Sequence, residues 1–285
     1  MAVIRIGTCS WKYESWRGLV YSNAQKINYL KEFSEKYSTV EIDQWFWSLH
    51  DSDKVTMPKR EVVEAYSASV PSDFKFGIKI PNSVTLTHFY SKSKTEPLRE
   101  NPYFFSNELF NDFLKTIDPM KKLLGPLMFQ FEYLNKKKMK SQFEFQIQAA
   151  GFVQKLPKNF FYAVEIRNPN YLNENYFNFL EENNLTHVFL EGYYMPPITE
   201  VFKKYRNLIK DRVVIRLHGP DRKGMEEKSG GIWNKILEPK NSDLSKIADM
   251  LDELLSREVD IYLYVNNHYE GSAPLTIEKI KKMIK

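Results

Sequence analysis

The sequence predicts an α/β fold: a TIM-type (β/α)8 barrel formed as one domain by residues 1–285, with an extended loop after the third strand. Three observations predict it. First, short apolar, β-branched runs alternate with helix-length amphipathic segments along the chain, which implies a parallel sheet joined by right-handed crossovers. Second, the runs turn polar or charged at their carboxyl ends, as barrel strands do at an active-site rim. The plainest case is Phe161-Tyr162-Ala163-Val164-Glu165-Ile166-Arg167-Asn168-Pro169, where alternation puts Glu165 and Arg167 on one face and Pro169 stops the strand. Val40-Glu41-Ile42-Asp43, Val214-Ile215-Arg216-Leu217-His218-Gly219 and Tyr262-Leu263-Tyr264-Val265-Asn266-Asn267 follow the same course. Third, the length of 285 residues suits eight such units without a linker. An open doubly wound sheet is the alternative, but no Gly-x-Gly-x-x-Gly follows the first strand and no Walker lysine occurs.

In order, the first strand is expected over residues 3–9. An aromatic-rich loop over 11–22 follows, and Ser22 or Asn23 can cap a helix to about Tyr37 with Ile27, Leu30 and Phe33 on one face. The second strand is expected over 39–46 and a helix over 60–70. The third strand, 74–80, ends at Pro81. Residues 82–107, which contain Pro97 and Pro102, read as a long loop, the kind of segment that serves as a lid. A helix over 108–123, broken near Pro119, leads to the fourth strand at 126–131. A helix over 142–156 precedes the fifth strand. Helices over 174–182 and 199–209 enclose the sixth strand at 186–191, and the seventh is 213–219. Residues 220–233 read as a polar loop. A helix over 242–256, the eighth strand at 260–266 and a helix from Pro274 complete the pattern.

Composition bounds the function. Hydrophobic residues make up 42% and aromatics 15%, enough for a large core. The net charge of +5 permits acidic partners without requiring them. A single cysteine, Cys9, excludes an intrachain disulfide framework and a cysteine-based zinc cage. The amino terminus enters a strand at once and no run reaches a membrane span, so a cytoplasmic location without membrane contact is expected. The basic run Lys136-Lys137-Lys138 reads as a solvated loop or helix start.

Several strand ends carry a recognisable pattern: Ile6-Gly7-Thr8-Cys9-Ser10-Trp11 with Trp16-Arg17-Gly18; Thr39-Val40-Glu41-Ile42; Phe74-Lys75-Phe76 with Lys79 and Thr87-His88; Leu124-Gly125-Pro126-Leu127 with Phe129-Gln130; Val164-Glu165-Ile166-Arg167; Arg216-Leu217-His218-Gly219; and Asn266-Asn267 with Gly271 and Ala273. In this order and over nearly the whole length, they resemble the DUF72 (YecE-like) family. The resemblance implies a TIM-type barrel. It implies almost nothing about reaction, because that family is known chiefly as a fold of undetermined biochemical function. The chain departs from the pattern at Asp43-Gln44-Trp45-Phe46-Trp47, where Asn-Ser-Thr-Phe-Tyr is usual. Further departures are Asn168 for His, Tyr171 for Trp, Phe131-Glu132-Tyr133 for Leu-Pro-Pro, and Glu191 for Asp.

A barrel gathers its strand ends into one mouth. Glu165, His218 and Glu191 are the candidate catalytic residues, since a carboxylate in a rimmed cavity has a tunable pKa and histidine titrates near neutrality. Lys79, Arg167 and Arg216 are the candidate anion contacts. Glu41, His88, Gln130, Asn266, Asn267 and Trp11 complete the expected substrate-binding set. The competing role for Glu165 and the arginines is a structural ion pair closing the barrel floor. Glu165, Glu191 and His218 have donor types that suit a divalent metal, but no His-x-His or His-Glu-x-x-His spacing occurs, and neither a metal ligand nor a cofactor is assigned. Cys9 has no base near it in sequence. The amides of residues 271–273, at the start of the last helix, suit an anion. Trp11, Trp16, Trp45, Trp47, Tyr171, Tyr193 and Trp233 can stack on rings at the rim or pack loops onto it.

Two function classes follow. One is an enzyme using acid–base or metal-assisted, hydrolase-like chemistry on a small polar anionic molecule that bears phosphate or carboxylate. The other is a non-catalytic module binding nucleic acid or a phosphorylated ligand, suggested by the net charge and the basic and aromatic rim. A scaffold with purely structural rim charges is the remaining alternative.

Overall fold

The structure, a computed structural model, describes residues 2–50, 54–90 and 96–285. Eight parallel strands close into a barrel in sequence order: β1 Ile4–Thr8, β2 Thr39–Ile42, β3 Lys75–Lys79, β4 Leu124–Gln130, β5 Phe161–Glu165, β6 Thr186–Gly192, β7 Arg212–Gly219 and β8 Asp260–Val265. Closure is made by β1 against β8, in register from Ile4 opposite Ile261 to Thr8 opposite Val265. The helices are α1 Tyr29–Ser34, α2 Arg60–Ala68, α3 Asn82–Thr85, α4 Asn107–Ile117, α5 Gln142–Val153, α6 Glu174–Glu182, α7 Ile198–Tyr205, α8 Arg222–Ser229, α9 Asn241–Ser256 and α10 Ala273–Met283. Among the described residues, no helix is long and apolar enough to cross a membrane.

Alternation along the strands divides the apolar residues into two cores. Outward residues such as Ile6, Phe76, Phe129, Phe189 and Leu263 pack beneath the helices. Inward residues Cys9, Met128, Ala163, Val188, Val214 and Tyr264 fill the barrel itself. Tyr264 dominates that inner layer. Its hydroxyl lies 3.1 Å from Thr39 Oγ1, and its ring occupies the space a side chain on Gly77 would need, since a Cβ there would fall 2.3 Å from Tyr264 Oη. A glycine on β3 is therefore the condition for filling the barrel centre with one aromatic ring.

The elements that differ from expectation do so for local reasons. Helix α1 starts at Tyr29, because Arg17 Nη1 donates to the carbonyls of Ser22 and Ala24 and holds the preceding segment out of helix. Asn28 caps α1 instead, its Oδ1 accepting from the amides of Leu30 and Lys31. Strand β2 stops at Ile42 because the Phe46 amide turns back onto the Asp43 carbonyl. The expected loop after β3 opens with α3, and its return limb is pinned where Asn101 Nδ2 donates to the carbonyls of Ser83 and Leu86; residues 91–95 of that loop lie outside the described residues. Residues 222–229 form α8 rather than loop. Asp221 Oδ1 accepts from the Gly224 amide at its start, and Gly230 ends it at φ +57°. The helix broken near Pro119 is α4, followed by a 3-10 segment, Asp118–Leu123.

His187, outward on β6, is buried among Tyr176, Phe177 and Phe189, with Nδ1 3.3 Å from Tyr176 Oη. Burial lowers its pKa to about 3, so the folded protein keeps it neutral while the unfolded chain takes up a proton below about pH 6.5. Stability therefore falls as pH drops through that window, by about 1.4 kcal/mol per pH unit for this residue. In urea unfolding, His187→Asn is expected to narrow the stability gap between pH 7.5 and 5.0 by about 2 kcal/mol; an unchanged gap would place the acid sensitivity elsewhere.

Candidate active site

Strand parity builds the site. Thr39, Glu41 and Asp43 share the inward face of β2 and its exit; Gly77 and Lys79 share that of β3; Ala163, Glu165 and Arg167 that of β5; Val214, Arg216 and His218 that of β7. The upper inward layer is thus charged where the layer below is apolar.

Arg216 is its centre. The side chain is 1% exposed. Its Nε and Nη2 donate to the two oxygens of Glu41 at 2.7 Å each, a bidentate pair. Its Nη1 donates to Glu165 Oε2 and, at 3.4 Å, to Gln130 Oε1. Glu165 Oε1 accepts from Arg167 Nε at 3.1 Å. Burial lowers the Arg216 pKa, but Glu165 and Glu41 outweigh it and hold the guanidinium charged. Burial also raises Glu165, yet Arg216, Arg167 and Lys79 together pull its pKa below the usual carboxylate range. Glu41 is the higher of the pair: burial raises it, Arg216 only partly offsets this, and Asp43 adds repulsion. Glu165 is therefore a poor proton acceptor, and with Arg216 it forms the structural ion pair that was the competing reading.

Lys79 differs. Its Nζ lies 4.0 Å from the centre of the Phe46 ring and has no hydrogen-bond acceptor among the described residues. Burial and the Arg216 charge lower its pKa to about 8, against the pull of Glu41, Glu165 and Asp43. Asp43, half-buried beside it, is raised by burial, with Lys79 opposing. Arg167 stacks 4.4 Å from the centre of the Tyr193 ring, is 26% exposed, and uses only Nε on Glu165. Both of its Nη groups lack a partner among the described residues.

His218 Nδ1 lies 3.4 Å from Tyr193 Oη, and its Nε2 lies 3.5 Å from Cys9 Sγ. Burial, then the charges of Arg216, Arg167 and Lys79, keep the imidazole neutral, and burial raises the Cys9 thiol. Cys9 thus has an imidazole neighbour in space though not in sequence, but with the thiol raised and the imidazole lowered the proton stays on sulfur. Tyr193 reaches both His218 and Arg167 from a turn in which Gly192 has φ +127° and Tyr193 itself φ +54°, a strained setting for an aromatic residue. The sequence places Tyr193 among the rim aromatics that can stack on rings or pack loops; the Gly192-Tyr193 step at the strand end is the signal for its position.

Some expected residues stand elsewhere. Glu191 faces outward from β6, and its Oε2 accepts from the Ile198 amide at the start of α7, 2.9 Å away, so it is a helix cap rather than a catalytic group. Glu165, Glu191 and His218 consequently do not converge, and among the described residues no three His, Cys, Asp or Glu side chains group as metal ligands. His88 pairs with Thr87 Oγ1 and lines an outer groove with Glu100, Lys136 and Lys138, away from the cup. Trp11 is buried edge-on to Tyr66. Trp16, Trp45, Tyr171 and Trp233 are buried as well, so they pack loops; Trp47, 62% exposed, reaches solvent beside Tyr90. Asn266 Oδ1 accepts from the His268 amide, and Asn267 Oδ1 from Ala273. The Gly271 amide donates to the Asn267 carbonyl. The amides expected to face an anion at 271 and 273 are spent within the loop.

The family model described as "Protein of unknown function DUF72" matches residues 5–285. The chain belongs to the DUF72 family. A DUF72 protein of Enterococcus faecalis superposes with a TM-score of 0.68 at 17% identity, covering 99% of this chain and 95% of that one. A DUF72 protein of Thermotoga maritima gives 0.65 at 22%, covering 99% and 98%. At these identities the likeness concerns the barrel alone. No curated protein matches the sequence. In this DUF72 barrel the ionic layer ties together β2, β4, β5 and β7.

Removing one member of a buried pair leaves the others uncompensated, so Arg216→Met is expected to cost about 3–5 kcal/mol in urea unfolding. Combining it with Glu41→Gln and Glu165→Gln should restore most of the loss. A cost below about 1 kcal/mol for the single change would contradict the bonded floor.

Proposed function

We propose that the barrel mouth binds a small polar molecule bearing a phosphate or carboxylate and carries out acid–base chemistry on it. The observation that carries this reading is the contrast between saturated and unsaturated cations. Arg216 is fully engaged in the floor, whereas the Nη edge of Arg167 and the Nζ of Lys79 lack acceptors among the described residues. A guanidinium edge seated over the Tyr193 ring suits the two oxygens of a carboxylate or phosphate. Lys79, lowered to about 8, changes protonation near physiological pH, and Asp43, raised by burial, is the neighbouring acid. Proton transfer is therefore assigned to Lys79 and Asp43. Glu165 and Arg216 set the field, and neutral His218 orients against Tyr193. Hydrolase-like chemistry fits this division, with no substrate specified further.

Arg167→Met tests the anion contact. Inorganic phosphate, oxalate and glycerol phosphate are expected to raise the melting temperature of the wild-type protein in low salt and to leave Arg167→Met unmoved. Equal shifts in both proteins, or none in either, would overturn the reading.

A further inference from the structure

We propose that the Lys79 ε-amine is a nucleophile that forms an imine with the aldehyde or ketone group of a phosphate- or carboxylate-bearing substrate. This rests on the reading of the mouth given above and names the reacting group of its substrate.

The geometry is that of an amine kept free. Lys79 ends β3 on the inward face, the face on which Gly77 meets Tyr264. Of the four other partly buried lysines among the described residues, three donate to oxygen, Lys75 to the Lys122 carbonyl, Lys138 to Glu132 at 2.5 Å, and Lys279 to Glu270 and Asn241, while Lys240 Nζ lies 6.0 Å from the centre of the Tyr269 ring. Lys79 rests on the face of Phe46. The nearby carboxylates Glu41 and Glu165 are occupied by Arg216, which keeps them from clamping the ammonium. Arg216 also places a permanent positive charge beside Lys79, the arrangement that activates amine nucleophiles. At pH 7.5 an amine with a pKa of about 8 is roughly one quarter neutral, against roughly one part in a thousand for an exposed lysine.

The step balances within the site. The Nζ lone pair attacks the carbonyl carbon, and the C=O π pair moves to oxygen, which takes the proton of Asp43. The new ammonium returns a proton to the Asp43 carboxylate, giving a neutral carbinolamine. Asp43 then protonates the departing hydroxyl. Water leaves as the nitrogen lone pair forms C=N, and the product is a protonated imine. No oxidant or reductant enters. The iminium restores the positive charge that Lys79 carried before it lost its proton, so a substrate anion held at Arg167 remains compensated.

The test is reductive trapping on the full chain. Limiting glyoxylate or glyceraldehyde 3-phosphate is added with cyanoborohydride at pH 7.5, and modified peptides are mapped by mass spectrometry. Lys79 is expected to be labelled about tenfold faster than the average of the other lysines, with Asp43→Asn slowing Lys79 alone. Labelling of Lys79 no faster than that of surface lysines overturns the proposal without requiring any variant to fold. Propionaldehyde separates the two readings. If it labels Lys79 as fast as the anionic carbonyls do, the imine stands and the anion contact falls. If anions stabilise the protein while Lys79 stays unlabelled by every carbonyl, the anion contact stands and the imine falls.

Discussion

A guanidinium with almost no solvent access, shared between two equally buried carboxylates, is the constraint on which the upper half of this barrel depends. Desolvating three charges costs several kcal/mol each, and the cost is recovered only if every donor and acceptor is met in good geometry. Arg216 from β7 meets Glu41 from β2, Glu165 from β5 and Gln130 from β4, so four strands must keep their register for the layer to exist. An apolar layer of the same volume could close the barrel equally well. What the ionic layer adds is a fixed field at the base of the mouth, oriented without help from solvent.

That field explains the unequal fates of the groups above it. When ionised, Glu41, Asp43 and Glu165 set three negative charges against the three positive charges of Lys79, Arg167 and Arg216. The cluster is near neutrality when all six ionise. Arg216 holds its charge because both carboxylates bond to it, and Glu165 holds its own between two guanidinium groups. Lys79 has neighbours but no bond, so desolvation dominates and its proton is the easiest to remove. Binding of an anion would favour the protonated amine, whereas attack on a carbonyl needs the neutral one. An iminium product satisfies both demands, because it is cationic without holding the amine proton that attack requires to be lost.

The barrel was legible in the sequence because its signals are periodic. The run from Phe161 to Arg167 shows a buried strand turning charged, and the same course in β2, β7 and β8 repeats it. The convergence of Glu41, Lys79, Gln130, Glu165, Arg167 and Arg216 followed from strand parity at their shared end. Glu191 was misplaced because one step of parity separates the mouth from the helix layer, and its partner, the Ile198 amide, is invisible to side-chain patterning. The Cys9–His218–Tyr193 contacts were missed because they join the end of β1, β7 and the turn after β6, residues 209 and 25 positions apart in sequence, which no motif spans. Helix α8 was missed because its face is weakly apolar, although Asp221 and Gly230 bracket it as cap and stop. Sequence could name which charges arrive at the mouth. Only the bond pattern separates those spent in the floor from those left over.

The central claim is that Arg216 absorbs Glu41 and Glu165 and leaves Lys79 an amine with no bonded carboxylate among the described residues. The most direct measurement is a carbon-13 NMR titration of the lysine ε-carbons with Lys79 assigned by difference. The account predicts that Lys79 titrates near pH 8, well separated from the remaining lysines. Titration together with the bulk at about 10.4 would contradict it.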